Sequence, residues 1–254
     1  MTAAAGSRPV GPAGDSLAAT VQRLAAAQKG AVGAPAYSRF VNRKLGRLLA
    51  ALAFHARLTP NAVTGLSALC TFSGIAMLAT VHPGWPMGVT VTLLLVLGYA
   101  LDSADGQLAR LRGGGSAAGE WLDHMVDSVK IASLHLSVLI GFYRFEAVQR
   151  GPWLLLPLAF SVVSVVLFFG TLLNESLRAQ HGAVTRAART DKRPSVTRSL
   201  LVVPTDYGLL CLVFVLLGAP SVFLSLYAVL FAATAMYLAL ASVKWFGEMG
   251  RLGS

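Results

Sequence analysis

The chain has 254 residues, of which 55% are hydrophobic and only 13% are charged, about half the charged share of an average soluble domain. Together with a mean hydropathy of +0.65, this composition argues against a water-soluble globule and excludes disorder over most of the length, because disordered chains are polar. The presence of only two cysteines excludes a disulfide framework, and the net charge of +10 fits either nucleic-acid binding or the basic loops of a membrane protein.

The N-terminal segment, residues 1–36, is rich in Ala, Gly and Pro and lacks the apolar stretch and cleavage site of a secretory signal. We expect it to be a flexible cytoplasmic tail. From Ser38 onward, apolar residues recur at the spacing of one helix face, while basic residues occupy the other faces. The apolar set consists of Val41, Leu45, Leu48, Leu49 and Leu52. This pattern predicts an amphipathic helix that lies along the cytoplasmic membrane surface.

Six apolar stretches follow, each close to the roughly 20 residues that a helix needs to cross the hydrocarbon. They begin near Ala62, Met87, Gly119, Trp153, Asp206 and Ser221. Turns rich in proline and glycine separate them. The fifth stretch is short and follows closely on a polar loop. The prediction is an all-α integral membrane protein with six transmembrane helices and one interfacial N-terminal helix.

The basic residues are distributed unevenly around these stretches. With an even number of crossings both termini share a side, and eighteen of the 21 basic residues fall on that side. Arg144 and Arg150 fall on the other side, and Lys130 lies within the third stretch. The positive-inside rule makes the basic side cytoplasmic. Topology thus explains the positive charge without nucleic acid, and we expect an integral protein of a bacterial cell membrane with both termini in the cytoplasm.

Four aspartates lie where apolar surroundings make them costly: Asp102 and Asp105 at the inner end of the second stretch, and Asp123 and Asp127 at the start of the third. An ionised Asp costs about 2.5–3.5 kcal/mol at mid-membrane and less near the interface. Spacings of three and four residues place each pair on one face of its helix, and a glycine-rich turn lets the two helices run antiparallel. Such a carboxylate cluster favours Mg²⁺, Mn²⁺ or Ca²⁺ over zinc.

Small residues accompany the aspartates, and they have two interpretations. Gly106 and Ala109 lie beside the first pair, and Gly119 lies one turn before Asp123. They leave room either for a nucleotide or for close helix packing in the membrane. His124 follows Asp123 directly. Because one residue corresponds to about 100° around a helix, we expect its side chain to face away from the ligand set.

Together these residues form a signature that resembles that of the CDP-alcohol phosphotransferase (CDP-alcohol phosphatidyltransferase) family. It reads Asp102-Ser-Ala-Asp105-Gly106-Gln-Leu-Ala109-Arg110, then after eight residues Gly119, after three more Asp123 and after a further three Asp127. Every fixed position and every spacing is present. The resemblance also covers the six spans, the interfacial helix and the segment Thr59-Pro60-Asn61-Ala62-Val63-Thr64, so residues 37–254 are expected to form the membrane domain of such a transferase.

The resemblance implies an activity and a metal site. Family members move a phosphoalcohol from a CDP-linked donor to an acceptor hydroxyl, release CMP and commonly use two divalent ions, here expected to be Mg²⁺ or Mn²⁺. By similarity, Asp102, Asp105 and Asp123 are the principal metal ligands. Asp127 completes the metal site and acts as the general base on the acceptor hydroxyl.

The resemblance also implies a donor site. Arg110 is expected to contact the donor diphosphate, and Gly106, Ala109 and Gly119 are expected to line the cytidine pocket. The expected donor is CDP-diacylglycerol, which places the protein in phospholipid biosynthesis. Its acyl chains would lie in the lipid, and an acceptor such as inositol phosphate, glycerol phosphate or serine would enter from the cytoplasm. A homodimer is expected, because family members often form one.

Three other functions compete with this one. A soluble CDP-alcohol donor with a lipid or polyol acceptor is the nearest, since residues 38–43 are somewhat similar to polyol-phosphate members. A divalent-cation transporter is less favoured, because the acids bunch at one membrane edge with no second cluster across the bilayer. An inactive membrane scaffold would need none of the four aspartates.

Five further residues have open roles. Asn61 and Thr64 either cap the first membrane helix or contact the donor and orient an aspartate. Arg178 and Arg186 either serve topology and anionic lipids or contact an acceptor phosphate. Asp206 either caps the fifth membrane helix or touches the acceptor.

Overall fold

The computed structural model describes residues 16–27, 35–145, 151–183 and 203–252. These parts of the chain are largely helical and contain no strand, which confirms the all-α prediction. In chain order the helices are α1 (Leu17–Ala26), α2 (Arg43–His55), α3 (Pro60–Thr80), α4 (Trp85–Leu111), α5 (Ala117–Phe145), α6 (Leu155–Gln180), α7 (Tyr207–Val213) and α8 (Pro220–Met249).

Five of the described helices are long and apolar enough to cross a membrane, namely α3, α4, α5, α6 with its preceding 3₁₀ turn, and α8. The fifth predicted crossing is shorter, because α7 continues only as a 3₁₀ turn, Phe214–Gly218. At about 1.5 Å per α-helical and 2.0 Å per 3₁₀ residue this segment extends roughly 20 Å, less than the roughly 30 Å of hydrocarbon. The structure therefore supports an integral membrane protein and does not confirm the count of six crossings.

Helix α1 lies in the segment predicted to be a flexible tail. The Ser16 hydroxyl oxygen caps it by accepting a backbone hydrogen bond at 3.2 Å. Leu24 is buried in a cluster that includes Phe54 of α2, and Thr20 hydrogen-bonds the ring of His55 at 3.1 Å. This stretch is therefore a packed helix, because its apolar and polar side chains both find partners on α2.

Helix α2 lies in the segment for which the sequence predicts an interfacial helix, and it packs against α4 through small residues. At Gly46 an added Cβ would lie 2.7 Å from the hydroxyl oxygen of Ser103, so the two helices approach closely. The side chains of the predicted apolar face are exposed at Val41, Leu45, Leu48 and Leu52. The small residues thus contact protein while the leucines remain available to lipid, as an interfacial helix requires. The position of α2 relative to the membrane stays a prediction.

Glycines let α3 pack closely against both α4 and α5. A Cβ added at Gly98 of α4 would overlap the hydroxyl of Thr71, and one added at Gly141 of α5 would overlap the backbone oxygen of Leu78. Only glycine fits at these crossings. The chain reverses between α4 and α5 through Gly113, whose φ of +99° is in the region that favours glycine. The end of α4 and the beginning of α5 are thereby brought side by side.

Candidate active site

A cavity of about 600 Å³ opens where α3 begins, α4 ends and α5 begins. Its volume is within the range of small-molecule sites. The residues that line it include Asn61, Thr64, Asp105, Gly106, Ala109, Arg110, Gly119, Asp123 and His124. The structure therefore gathers most of the signature, together with the start of α3, around one space.

A smaller cavity of about 240 Å³ shares part of this lining. The shared residues are Asp105, Gly106, Arg110 and Asp123. Asp102 lines the smaller cavity, whereas Asp127 lines neither of the two. The aspartates thus lie between two adjoining spaces, with Asp127 set back from both.

Asp123, His124 and Asp127 form a group that fits a metal ion. One possible ligand atom from each residue lies within 4.8 Å of the others. The Nδ1 atom of His124 is buried and has no hydrogen-bond partner among the described residues. Because buried polar atoms are normally paired, this nitrogen fits a position that binds a ligand. The prediction that His124 faces away from the ligand set is wrong. His124 lies about 100° around the helix from Asp123, and both residues line the larger cavity.

Thr64 and Asp105 connect α3 to α4 directly. The Thr64 hydroxyl donates a 2.6 Å hydrogen bond to Asp105 Oδ2, and both residues are buried. The cap of α3 is Thr59, whose hydroxyl oxygen accepts from the N–H of Ala62 at 3.1 Å. The capping interpretation of Thr64 and Asn61 is therefore wrong: Thr64 contacts an aspartate, and Asn61 lines the larger cavity.

A comparison with protein families agrees with this geometry. Residues 57–245 match the family model described as CDP-alcohol phosphatidyltransferase, well over half of the chain. The chain belongs to the CDP-alcohol phosphatidyltransferase family. It is accordingly a membrane transferase that moves a phosphoalcohol from a CDP-alcohol to a hydroxyl acceptor, in a family that uses divalent metal ions. A comparison with curated proteins finds no match.

Lys130 contacts two aspartates of the CDP-alcohol phosphatidyltransferase signature, although its place in the sequence predicts no role for it. Its Nζ lies 3.3 Å from Asp102 Oδ1 and forms an ion pair with Asp127 Oδ1. The available signal was a basic residue inside an apolar helix, three positions after Asp127. Its partner on α4 is far away in sequence, so the spacing along α5 alone does not show it.

Arg43 of α2 brings a second guanidinium to the smaller cavity. It lines the smaller cavity together with Arg110. Gln107 fixes α2 there, because its Nε2 donates to the backbone oxygen of Arg43 at 3.3 Å. Burial lowers the pKa of Arg43, and an arginine still keeps its charge at neutral pH. In the sequence, Arg43 is one of the cytoplasmic basic residues and ends the segment 38–43 that is somewhat similar to polyol-phosphate members. Nothing in the spacing of α2 shows its approach to α4.

Of the two predicted acceptor contacts, only Arg178 lies in the part of the chain that the structure describes. The Arg178 guanidinium donates to Glu248 Oε2 at 2.5 Å, which ties α6 to α8. Arg178 lines neither of the two cavities. Arg186 lies outside the described residues. An acceptor contact from either arginine stays a prediction.

Asp206 caps the short helix α7, as one of its two interpretations expects. Its Oδ1 accepts from the N–H of Gly208 at 3.0 Å, and its Oδ2 accepts from the N–H of Ser38 at 3.1 Å. Burial raises the pKa of Asp206. Both carboxylate oxygens therefore serve the structure by joining α7 to the segment that leads into α2.

Proposed function

We propose that this transferase uses CDP-diacylglycerol as its donor and makes a phospholipid by moving the phosphatidyl group to the hydroxyl of a small acceptor, with release of CMP. The observation that carries the proposal is the cavity of about 600 Å³, which is lined by signature aspartates and small residues at the ends of membrane-spanning helices. A donor bound there keeps its acyl chains in lipid while its diphosphate reaches the aspartates.

The lining of the larger cavity supports a nucleotide at this position. Gly106, Ala109 and Gly119 present little side-chain bulk to it. At Gly119 an added Cβ would lie 3.1 Å from the side-chain oxygen of Asn61, so a larger residue would narrow the space. Arg110 lines both cavities, and we infer that its guanidinium pairs with the diphosphate oxygens.

The four aspartates are proposed to hold two Mg²⁺ or Mn²⁺ ions. Asp105 and Asp123 line both cavities, Asp102 lines the smaller one, and Asp127 is grouped with Asp123. Carboxylate oxygens are ligands that these ions prefer. When bound, the ions polarise the phosphoryl group and stabilise the departing phosphate.

Asp127 is proposed to act as the general base. As the acceptor oxygen forms its bond to the phosphorus of the phosphatidyl group, the bond from that phosphorus to the bridging oxygen breaks, and its electron pair leaves with CMP. The proton of the acceptor hydroxyl passes to Asp127. Because it moves as the new bond forms, a carboxylate of low proton affinity suffices.

One observation favours the alternative, a polyol-phosphate transferase with a soluble CDP-alcohol donor. Arg43 and Arg110 line the smaller cavity beside the aspartates. Two guanidinium groups suit a second phosphate in addition to the donor diphosphate. The two functions differ in their donor, so one assay separates them.

We also propose that the cavities face the cytoplasm of a bacterial cell and that the protein forms a homodimer. The distribution of basic residues supports this orientation. Arg112 is exposed and lines the larger cavity. Labelling of a cysteine at this position therefore shows on which side of the membrane the cavity opens. In a variant without Cys70, we expect R112C to react with an impermeant maleimide only after the cells are opened. Reaction in intact cells would contradict the orientation.

The deciding experiment uses the purified protein with Mg²⁺ or Mn²⁺. CDP-diacylglycerol and soluble CDP-alcohols are each combined with a panel of acceptors, CMP is measured, and the products are identified by mass. We expect CMP with CDP-diacylglycerol and one acceptor. Activity with soluble donors alone selects the alternative, and no CMP from any combination by a folded protein contradicts both.

Three aspartate variants test the division of roles. We expect Asp127→Asn to abolish transfer and retain binding of the CDP donor. Asp102→Asn and Asp123→Asn should weaken the binding of metal and donor together, because these residues hold the ions that the diphosphate contacts. Equal loss of donor binding in all three variants would reject this assignment.

A further inference from the structure

Lys130 is a buried cation inside the helix bundle. Only 6% of its surface is exposed, and it lines neither of the cavities that hold the aspartates. Its Nζ contacts Asp102 of α4 and Asp127 of α5 and lies 5.3 Å from the centre of the Tyr207 ring of α7. Three helices therefore meet around one ammonium group.

The contacts of Lys130 place it behind the site. A buried ammonium is stable only when it is paired, and here both partners belong to the family signature. Asp102 lines the smaller cavity from one side, while Lys130 reaches it from the protein interior. A substrate in the smaller cavity would meet the Asp102 carboxylate and not the ammonium, so Lys130 acts through the aspartates that it contacts.

We propose that Lys130 is a positioning residue and an internal counter-cation. It joins Asp102 to Asp127, and it supplies positive charge that limits carboxylate repulsion when no divalent ion is bound. With the ions present, it neutralises part of the acidic cluster, so the site keeps a positive excess for the donor diphosphate. The inference rests on the proposed metal site, but its test needs neither donor nor acceptor.

The test compares Lys130→Met, Lys130→Arg and the control Lys244→Met. Methionine keeps length and removes charge, whereas arginine keeps the charge. Lys244 also pairs with a carboxylate, Glu248 at 3.7 Å, but its side chain is 56% exposed. Each protein is unfolded thermally in detergent, once with EDTA and once over a series of Mn²⁺ concentrations, and Mn²⁺ binding is measured by electron paramagnetic resonance.

We expect K130M to unfold about 6–20 °C below the wild type in EDTA, as loss of one partner from a buried ion pair predicts for a chain of this size. Saturating Mn²⁺ should raise the unfolding temperature of K130M more than that of the wild type, because a divalent ion replaces the missing charge. The unfolding temperature of K130R should fall less than that of K130M, and K244M should unfold at the wild-type temperature.

Two results would overturn the proposal. One is a wild-type unfolding temperature for K130M in EDTA. The other is a deficit that stays the same at every Mn²⁺ concentration, since a residue that only fills space would behave in this way. If K130M folds only with Mn²⁺, withdrawal of the ion should unfold it under conditions in which the wild type stays folded, which supports the proposal. If the transferase assay detects no release of CMP, the unfolding and Mn²⁺-binding measurements still test the role of Lys130, and only the proposed function is contradicted.

Discussion

Replacing Thr64 with valine tests whether a hydroxyl on α3 orients Asp105 of α4, one of the proposed metal ligands. Thr64 is 5% exposed, and valine keeps its branched shape. The substitution therefore removes the 2.6 Å hydrogen bond to Asp105 Oδ2 without opening a cavity. The Asp105 carboxylate then loses the group that fixes its rotamer toward the two cavities.

The expected loss of Mn²⁺ affinity follows from the charge of the hydrogen-bond acceptor, the Asp105 carboxylate. A hydrogen bond to a charged group contributes about 1.5–3 kcal/mol, and about 1.4 kcal/mol corresponds to a factor of ten in an equilibrium constant. Loss of a partner that orients a metal ligand typically costs about 10- to 100-fold in metal affinity or activity. We therefore expect T64V to lower Mn²⁺ affinity and the rate of CMP release at limiting Mn²⁺ by about 10- to 100-fold.

The assay measures free Mn²⁺ by electron paramagnetic resonance during a titration, alongside CMP release at the same concentrations. Thr64→Ser retains the hydroxyl and should remain within a few-fold of the wild type. Thr80→Val is the matched control, because the Thr80 hydroxyl donates to the backbone oxygen of Ala76 at the exposed end of α3. Wild-type Mn²⁺ affinity in T64V would refute the role assigned to this hydrogen bond.

Further substitutions test the packing and the donor site. Gly141→Ala should lower the unfolding temperature by several degrees, because its Cβ overlaps the Leu78 backbone oxygen, whereas Gly65→Ala, which meets nothing within 4 Å, should not. Gly119→Val should raise the KM for the donor at least about tenfold with unchanged unfolding, since it narrows the cavity; an unchanged KM places the nucleotide elsewhere. Arg110→Lys should raise the same KM because an ammonium lacks the planar fork of guanidinium. A KM equal to that of the wild type would show that Arg110 does not contact the diphosphate. EDTA should abolish CMP release and Mg²⁺ or Mn²⁺ should restore it, whereas activity that persists in EDTA would contradict the metal-dependent mechanism.

The sequence by itself determines the membrane class, the long helices and the signature. Apolar runs of membrane length leave few alternatives, because backbone groups in lipid must be satisfied within the segment. The spacing from Asp102 to Asp127 carries the family, since helix periodicity fixes which side chains share a face. These features are local, and the family match over residues 57–245 agrees with them.

Only the tertiary structure decides which side chains meet between helices. Thr64 and Asp105 are 41 positions apart, and Lys130 and Asp102 are 28 apart, so no helical period relates them. Their contacts depend on how closely the helices approach, which small residues such as Gly98 permit. The sequence therefore shows that four aspartates are present, whereas the packing of α3, α4 and α5 determines which hydroxyl contacts Asp105 and which ammonium contacts Asp102 and Asp127.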